Sequence, residues 1–478
     1  MRPPIVIILA AGEGIRMNSA TPKVLHQIAG RSLLGHVIGA AATLEPEHLV
    51  VVVGHGGEQV VAHLEEVAPW VVTVEQKQRN GTGHAVRTAL EFLDGRGVPP
   101  GESSVVVLNG DTPLLTGSSL MNLMKSHLDR NAQATVLTAD LVDPFGYGRI
   151  IRLGDRIGGI VEEKDASPEQ REISEINSGV YAFDGAALNA AIAGLNANNS
   201  QGEEYLTDVI EIITSREGVV IGVGAHDADD ILGINDRAQL ACAAGIMRNR
   251  INLKWMKAGV TMLDPASTWI DVDAELAADV TLLPHTCLRG PTAIESGAQI
   301  GPSTTLISAE VGINAVVRHT WAELVVIGAG AHVGPYTYLR PGTVIGESGK
   351  AGAFVEMKNA QLGAGSKVPH LSYVGDATIG AGTNIGAGTV FVNYDGVEKH
   401  HTTVGDHVRV GSDNMLIAPI VIGDGAYTAA GSVITDDVPA GSMAVGRARQ
   451  RNILNWVLRR RSGTGSAAAA ERAIESEQ

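Results

Sequence analysis

From residue 300 to residue 423 an aliphatic residue followed by glycine recurs, as in Ile300-Gly301, Val333-Gly334, Ile345-Gly346, Val374-Gly375, Val410-Gly411 and Ile422-Gly423. Aliphatic side chains fall six apart in three runs: 327, 333, 339, 345; then 362, 368, 374; then 404, 410, 416, 422. Neither a helix nor an alternating strand has this period. A hexapeptide β-solenoid has it: each short strand forms one side of a coil, and the aliphatic residue points inward. Glycine is expected at the corners, where the backbone takes a geometry that a Cβ opposes. A flexible glycine-rich linker would not keep its aliphatic residues in phase. The period also accounts for 58 glycines beside only 4% aromatic residues.

The first half has a different rhythm. The strand-like runs IVIILAA, LVVVVG and SVVVLNGD alternate with helix-like stretches at 32–44, 58–66 and 83–94. Alternation of this kind predicts a mostly parallel, doubly wound α/β sheet with ligands at the carboxyl ends of its strands. The expected division is an α/β domain over 1–235, a proline-free helical linker over 236–258 and a β-helix over 259–450. A tail over 451–478 follows, first basic, then low in complexity and expected to be disordered at its end.

Charge and composition exclude several functions. A net charge of -16 argues against nucleic acid as a partner, because phosphate binding needs clustered Lys and Arg. No run approaches the ~18 apolar residues of a membrane span, so membrane insertion is not expected. Glu13 and Arg16 follow the first apolar run too closely for a secretory signal, and Cys242 and Cys287 make no disulfide framework. A reducing, cytoplasmic setting is the expectation.

At the end of the first strand the chain reads LAAGEGIRMNSATPK, residues 9–23. Glycines at a strand end let backbone N–H groups approach an anion. A Walker loop is absent, and Met17 stands where a dinucleotide fingerprint needs its third glycine. The whole string L-A-A-G-x-G-x-R-M-x4-P-K resembles the signature of sugar-1-phosphate nucleotidyltransferases. Further matching segments are QKQRNGTGHA from Gln76, NGD from Asn109, GYGRI from Gly146, GIVEEKD from Gly159, EINSG from Glu175 and GINDR from Gly233. With the hexapeptide period behind them, the chain is similar over about residues 5–450 to the bacterial bifunctional N-acetylglucosamine-1-phosphate uridylyltransferases / glucosamine-1-phosphate N-acetyltransferases. Glu13, Ile15 and Asn109 depart from that family's usual residues.

The resemblance implies a Rossmann-like nucleotidyltransferase domain, a left-handed parallel β-helix and a homotrimer. For the first reaction it implies that Asp111 and Asn235 hold Mg²⁺, while Arg16 and Lys23 act on the phosphates of UTP and the sugar. Ala10, Ala11, Gly12, Gln76, Gly81, Thr82, Asn109 and Gly110 would contact the nucleotide; Gly148, Glu162 and Asn177 would contact the sugar.

A second cluster sits within the coils. Rungs tolerate few charged groups, yet Arg340, Lys358, His370 and Tyr373 gather there, and the six-residue phase breaks between 391 and 404 at NYDGVEKHHTT. Acetyl transfer to an amine needs a base, and His370 titrates nearest to neutrality. The resemblance adds Arg340, Lys358, Tyr373 and Asn384 as sugar-phosphate contacts. It adds Ala387, Asn393, Tyr394, Ser412, Ala430 and Arg447 as contacts of acetyl-coenzyme A. The small-molecule substrates implied are glucosamine-1-phosphate, N-acetylglucosamine-1-phosphate, UTP and acetyl-coenzyme A. Two alternatives stay open on the sequence: a single-activity nucleotidyltransferase whose β-helix is structural or regulatory, and a non-catalytic scaffold. The latter should have lost Arg16, Lys23, Asp111 or Asn235, and all four are present.

Overall fold

The computed structural model of the chain describes residues 2–54, 57–78 and 80–476, and divides into two compact units, Met1–Ser308 and Ala309–Gln478. In the first unit the strands are β1 (Ile5–Ala10), β2 (His48–Gly54), β3 (Val72–Gln76), β4 (Ser104–Asn109), β5 (Ala134–Asp140), β6 (Arg149–Leu153), β7 (Arg156–Val161), β8 (Glu175–Asp184) and β9 (Val220–Gly224). The sheet runs β9-β5-β8-β4-β1-β2-β3, with β6 and β7 as a hairpin off β8. Along this run β8 is antiparallel to both β4 and β5, while β1 is parallel to both β2 and β4. Helices α1 (Leu33–Ala42), α2 (Glu58–Val67), α3 (Thr82–Asp94) and α4 (Gly117–Asp129) connect the strands. Val6 and Ile8 join the core on one face of the sheet, and Ile5 and Ile7 join the core on the other. That double burial explains why the strand reads as an unbroken apolar run rather than an alternating one. Chain order reverses between β1 and β4, so a crevice opens at their carboxyl ends.

The proline-free segment forms the helix Arg237–Lys257, capped by Asp236, whose carboxylate accepts the Gln239 N–H at 2.8 Å. The boundary between units does not fall at this helix, because the coils that follow it are tied to the sheet domain. Val272 N–H donates to Ala29 O at 3.0 Å, Arg31 pairs with Asp273 at 2.6 Å, and the buried Asn252 amide bonds Thr268 O at 3.0 Å. Residues 261–307 therefore belong to the first compact unit.

In the second unit the solenoid keeps the predicted phase. Strands three sides apart stack in parallel register, as in Val326↔Val344 and Ile327↔Ile345, one coil of about three hexapeptides. Ile327, Val333, Leu339 and Ile345 are all at most 3% exposed, as are Val404, Val410, Leu416 and Ile422. The glycines have a different reason from the one expected. Most of those following the aliphatic residue do not have positive φ; left-handed corners are filled instead by side-chain-bearing residues such as His319, Tyr336, Phe354 and Leu371. Gly363 shows what glycine is for: a Cβ there would lie 2.5 Å from the Gly380 carbonyl carbon on the next coil. Close stacking of coils requires it.

The tail also departs from expectation. Trp456–Arg460 and Gly465–Ser476 are helices. The run SAAAAERAIES is simple in composition, but alanine has the highest helix propensity, and low complexity of that kind does not imply disorder.

Candidate functional site

Two adjoining cavities occupy the crevice at the ends of β1 and β4. The larger, about 550 Å³, is lined by Ala10, Ala11, Gly12, Lys23, Gln76, Gly81 and Asp111. The smaller, about 220 Å³, is lined by Gly148, Glu162, Asn177, Tyr181, Thr207 and Asn235. Apart from Gly110, the expected nucleotide contacts line the larger cavity and the expected sugar contacts the smaller, and the two cavities share Thr82, Asn109 and Asp111.

Each glycine of the first loop has its own task. Gly14, in the left-handed region, would place a Cβ 2.5 Å from Lys23 Cβ, so its bareness lets Lys23 fold back across the loop. Gly12 has no atom within 4 Å of its missing Cβ and faces the larger cavity. The Lys23 ammonium pairs with Asp111 and lies 3.3 Å from Asn235 Oδ1. A carboxylate just past a strand end and an amide oxygen from the loop before the helix Arg237–Lys257, far apart in sequence, converge on one cation. That donor set suits a hard divalent ion, which takes one or two protein oxygens and completes its shell from water and phosphate. Among the described residues no group of three or more His, Cys, Asp or Glu could hold a metal by itself.

Arg16 and Gly110 do not line either cavity. Arg16 is exposed in the short 3-10 turn Ile15–Met17, beside the exposed Ile15, and Gly110 is buried with its N–H on Leu9 O at 2.9 Å. Glu13 does line the larger cavity. Gln76 is buried, and its Nε2 donates to Gly81 O at 3.0 Å, which fixes the turn before α3. Gly81 itself carries φ 104° there, with Glu204 O 2.5 Å from where its Cβ would be.

In the smaller cavity, Asn177 N–H donates to Gly148 O at 2.8 Å, joining β8 to the loop before β6. Glu162 accepts from the Thr207 hydroxyl at 3.2 Å. Burial pushes its carboxyl above the ordinary value; the Thr207 bond opposes this, and Asp208 and Asp165 reinforce it. Thr207 and Tyr181 escaped sequence reasoning, since a Thr before a helix looks like a cap and a Tyr within a strand looks like core.

The second unit carries the other cluster. Lys358 lies 3.7 Å from Asp376, and Arg340 pairs with Glu356 at 3.0 Å. Burial raises the Asp376 carboxyl, but hydrogen bonds from Asn359 and Asn393 and the Lys358 charge outweigh it and hold it low. Asn393 also reaches the Tyr373 phenol at 3.5 Å. Lys399, from the loop that breaks the phase, joins this group: the Lys358 amine beside it pushes its own amine below the ordinary value. Lys399 and Asp376 were not singled out by sequence; the loop was, but which side chain returns to the coils depends on its fold. In that loop Tyr394 and Lys399 form an antiparallel bridge.

His370 is exposed at the end of the strand Lys367–His370. From it a column of corner residues climbs the coils through backbone bonds: Gly388 N–H to His370 O at 3.3 Å, Asp413 N–H to Ala387 O at 2.7 Å and Gly431 N–H to Ser412 O at 2.9 Å. Ala387, Ser412 and Ala430 therefore stand one above another on the corner that also carries His370, which continues below it through Leu371 N–H to Ala353 O at 3.0 Å. Asn384 pairs in register with Lys367 on an adjacent side, and Arg447 is exposed just after the last strand, Met443–Ala444.

Comparison with known proteins fits both halves. Residues 6–153 match the MobA-like NTP transferase domain, and residues 401–436 match the bacterial transferase hexapeptide (six repeats). The chain is 56% identical to the bifunctional protein GlmU of Streptomyces avermitilis over 98% of this chain and 97% of that one. It is 53% identical to that of Thermobifida fusca, over 99% and 98%, and 51% identical to that of Corynebacterium glutamicum, over 98% and 96%.

Proposed function

Because the chain belongs to the family of bifunctional GlmU proteins, we propose that it makes UDP-N-acetylglucosamine in two steps, one in each half. The β-helix acetylates glucosamine-1-phosphate with acetyl-coenzyme A. The α/β domain then transfers UMP from UTP to N-acetylglucosamine-1-phosphate. The observation that carries the assignment is the meeting of two chambers at Asp111, with Lys23 and Asn235 on the same point.

In the second step a phosphate oxygen of N-acetylglucosamine-1-phosphate forms a bond to the α-phosphorus of UTP while the α–β bridge breaks and pyrophosphate leaves. Positioning and charge neutralisation supply most of the acceleration in such transfers. UTP would occupy the larger chamber, its phosphates against Gly12 and the Lys23 ammonium, its uridine toward Gln76 and Gly81. The sugar would occupy the smaller chamber between Gly148, Glu162 and Asn177. Asp111 and Asn235 would hold Mg²⁺, which when bound neutralises charge on the phosphates of both substrates.

In the first step the sugar amine attacks the thioester carbonyl, the C–S bond breaks and the thiol leaves. His370 would take the amine proton and return it to the departing sulfur. Arg340, Lys358 and Lys399 would bind the sugar phosphate, and Tyr373 and Asn384 would orient the sugar. The corner column of Ala387, Ser412 and Ala430 offers a bare ledge for the coenzyme, with Asn393 and Tyr394 beside it and Arg447 at its far end. A homotrimer in the cytoplasm is part of the same proposal; the hexapeptide repeats support it, since such coils associate through their flat sides. No helix among the described residues is long and apolar enough to cross a membrane.

The test is one incubation with glucosamine-1-phosphate, acetyl-coenzyme A, UTP and Mg²⁺, following free thiol, pyrophosphate and UDP-N-acetylglucosamine. Pyrophosphate release from added N-acetylglucosamine-1-phosphate without any thiol release would return the β-helix to a structural role.

A further inference from the structure

The smaller chamber contains a phenol that the reaction above does not use. Tyr181, on β8, is 2% exposed, its ring stacks on Phe183 at 5.4 Å between centroids, and it lines the chamber. Its hydroxyl meets Asn177 Nδ2 at 2.7 Å. The direction of that bond follows from the other end of the amide. Gly179 N–H, which can only donate, faces Asn177 Oδ1 at 3.0 Å, so the amide nitrogen must be the end turned to Tyr181. The amide therefore donates and the phenol oxygen accepts. The phenol's own hydrogen remains unspent: among the described residues it has no acceptor.

The phenol also keeps that hydrogen, because burial, and then the Glu162 charge, push its titration up. One wall of the chamber thus offers an O–H from Tyr181 beside the second N–H of Asn177. Another offers the acceptor carboxylate of Glu162, raised in pKa but, among the described residues, hydrogen-bonded at only one oxygen, by Thr207. A secondary amide presents the complementary pair, a carbonyl oxygen and an N–H. A free ammonium presents donors only and would leave the Tyr181 and Asn177 hydrogens unpaired, the situation that buried sites penalise most.

We propose that Tyr181 is a specificity-determining residue of the uridylyltransferase site, whose O–H donates to the acyl carbonyl of the acetamido sugar and so selects it over the free amino sugar. The inference rests on the proposed function and deepens it: the order of the two steps is enforced by this hydrogen bond, because the α/β domain accepts only what the β-helix has already acetylated.

Tyr181→Phe keeps the ring and its stack and removes only the hydroxyl. Uridylyl transfer is measured for wild type and variant with N-acetylglucosamine-1-phosphate and with glucosamine-1-phosphate, under UTP and Mg²⁺. The expected result is a fall of roughly 10- to 100-fold in kcat/KM for the acetylated sugar, with the value for the amino sugar unchanged. Equal losses on both sugars would mean that Tyr181 acts only by holding Asn177, and would overturn the selectivity; so would no loss on either. A wild type inert toward both sugars would instead overturn the assignment of the reaction, which separates the two failures.

Discussion

The Lys23 ammonium lies 3.3 Å from the amide oxygen of Asn235, 212 positions further along the chain, and pairs at the same time with Asp111. Three residues far apart in sequence, Asp111 just past a strand end, Lys23 in the 3-10 turn Lys23–Leu25 and Asn235 in the loop before the helix Arg237–Lys257, are thereby held on one point at the switch of the sheet. Asp111→Ala removes the only carboxylate of the three and leaves the lysine charge uncompensated in a partly buried place. Pyrophosphate release should fall by about 10²-fold or more. Acetylation by the same preparation should stay within a few-fold of normal, because its residues sit in a separate core. Loss of both activities in a folded Asp111→Ala protein would contradict two independent sites.

His370 has no charged partner among the described residues and stands in the corner column directly below Ala387. His370→Ala should lower kcat for acetylation by ~10²–10⁴-fold, the usual worth of a positioned base, with uridylyl transfer untouched. Lys399→Ala should raise the KM for glucosamine-1-phosphate with little change in kcat, the signature of lost uniform binding. Steady-state thiol release on both variants separates the roles; a kcat defect in Lys399→Ala would place that lysine in the chemistry instead.

Glycine to alanine gives opposite results at two positions. At Gly363 the new Cβ meets the backbone of the next coil at 2.5 Å, so the coils must part. A loss of about 1–3 kcal/mol is expected, read as a lowered midpoint in urea. At Gly12 the Cβ meets nothing within 4 Å. Gly12→Ala should leave thermal stability unchanged and raise the KM for UTP several-fold, because the methyl occupies the space of a phosphate. An unchanged KM would move the triphosphate elsewhere in the larger cavity.

What could be read in advance follows from how local each cause is. The buried aliphatics at 327, 333, 339 and 345 announce themselves because every coil repeats the same inward position. The reason for Gly363 lies on another coil, at Gly380, and no period records how closely two backbones pass. Asp111 and Asn235 are legible as members of a motif, but their convergence on Lys23 is a tertiary fact. Arg16 belongs to the same motif and yet is exposed outside both cavities, since the 3-10 turn Ile15–Met17 swings it away. Lys399 sits in a loop whose irregularity was visible, while its return to Lys358 was not. The tail reads as disorder by simplicity and as helix by alanine content, and the second cause prevails over Gly465–Ser476.

Glu162 makes stability depend on pH in a direction opposite to that of a salt-bridged carboxylate. Its folded pKa lies above the ordinary 4.5, chiefly through burial, so across the interval between the two values the folded state holds more protons than the unfolded one. Stability therefore falls as pH rises through that interval, and the penalty persists above it. Glu162→Gln keeps an acceptor for the Thr207 hydroxyl and removes the charge. The variant should approach wild type at acid pH, well below 4.5, and melt at increasingly higher temperatures than wild type as pH rises through that interval. The same variant should bind N-acetylglucosamine-1-phosphate less well at pH 7.5, because a neutral amide accepts more weakly than a carboxylate. Melting curves at several pH values decide the first half: a constant difference between the two proteins would show that burial does not raise the Glu162 pKa.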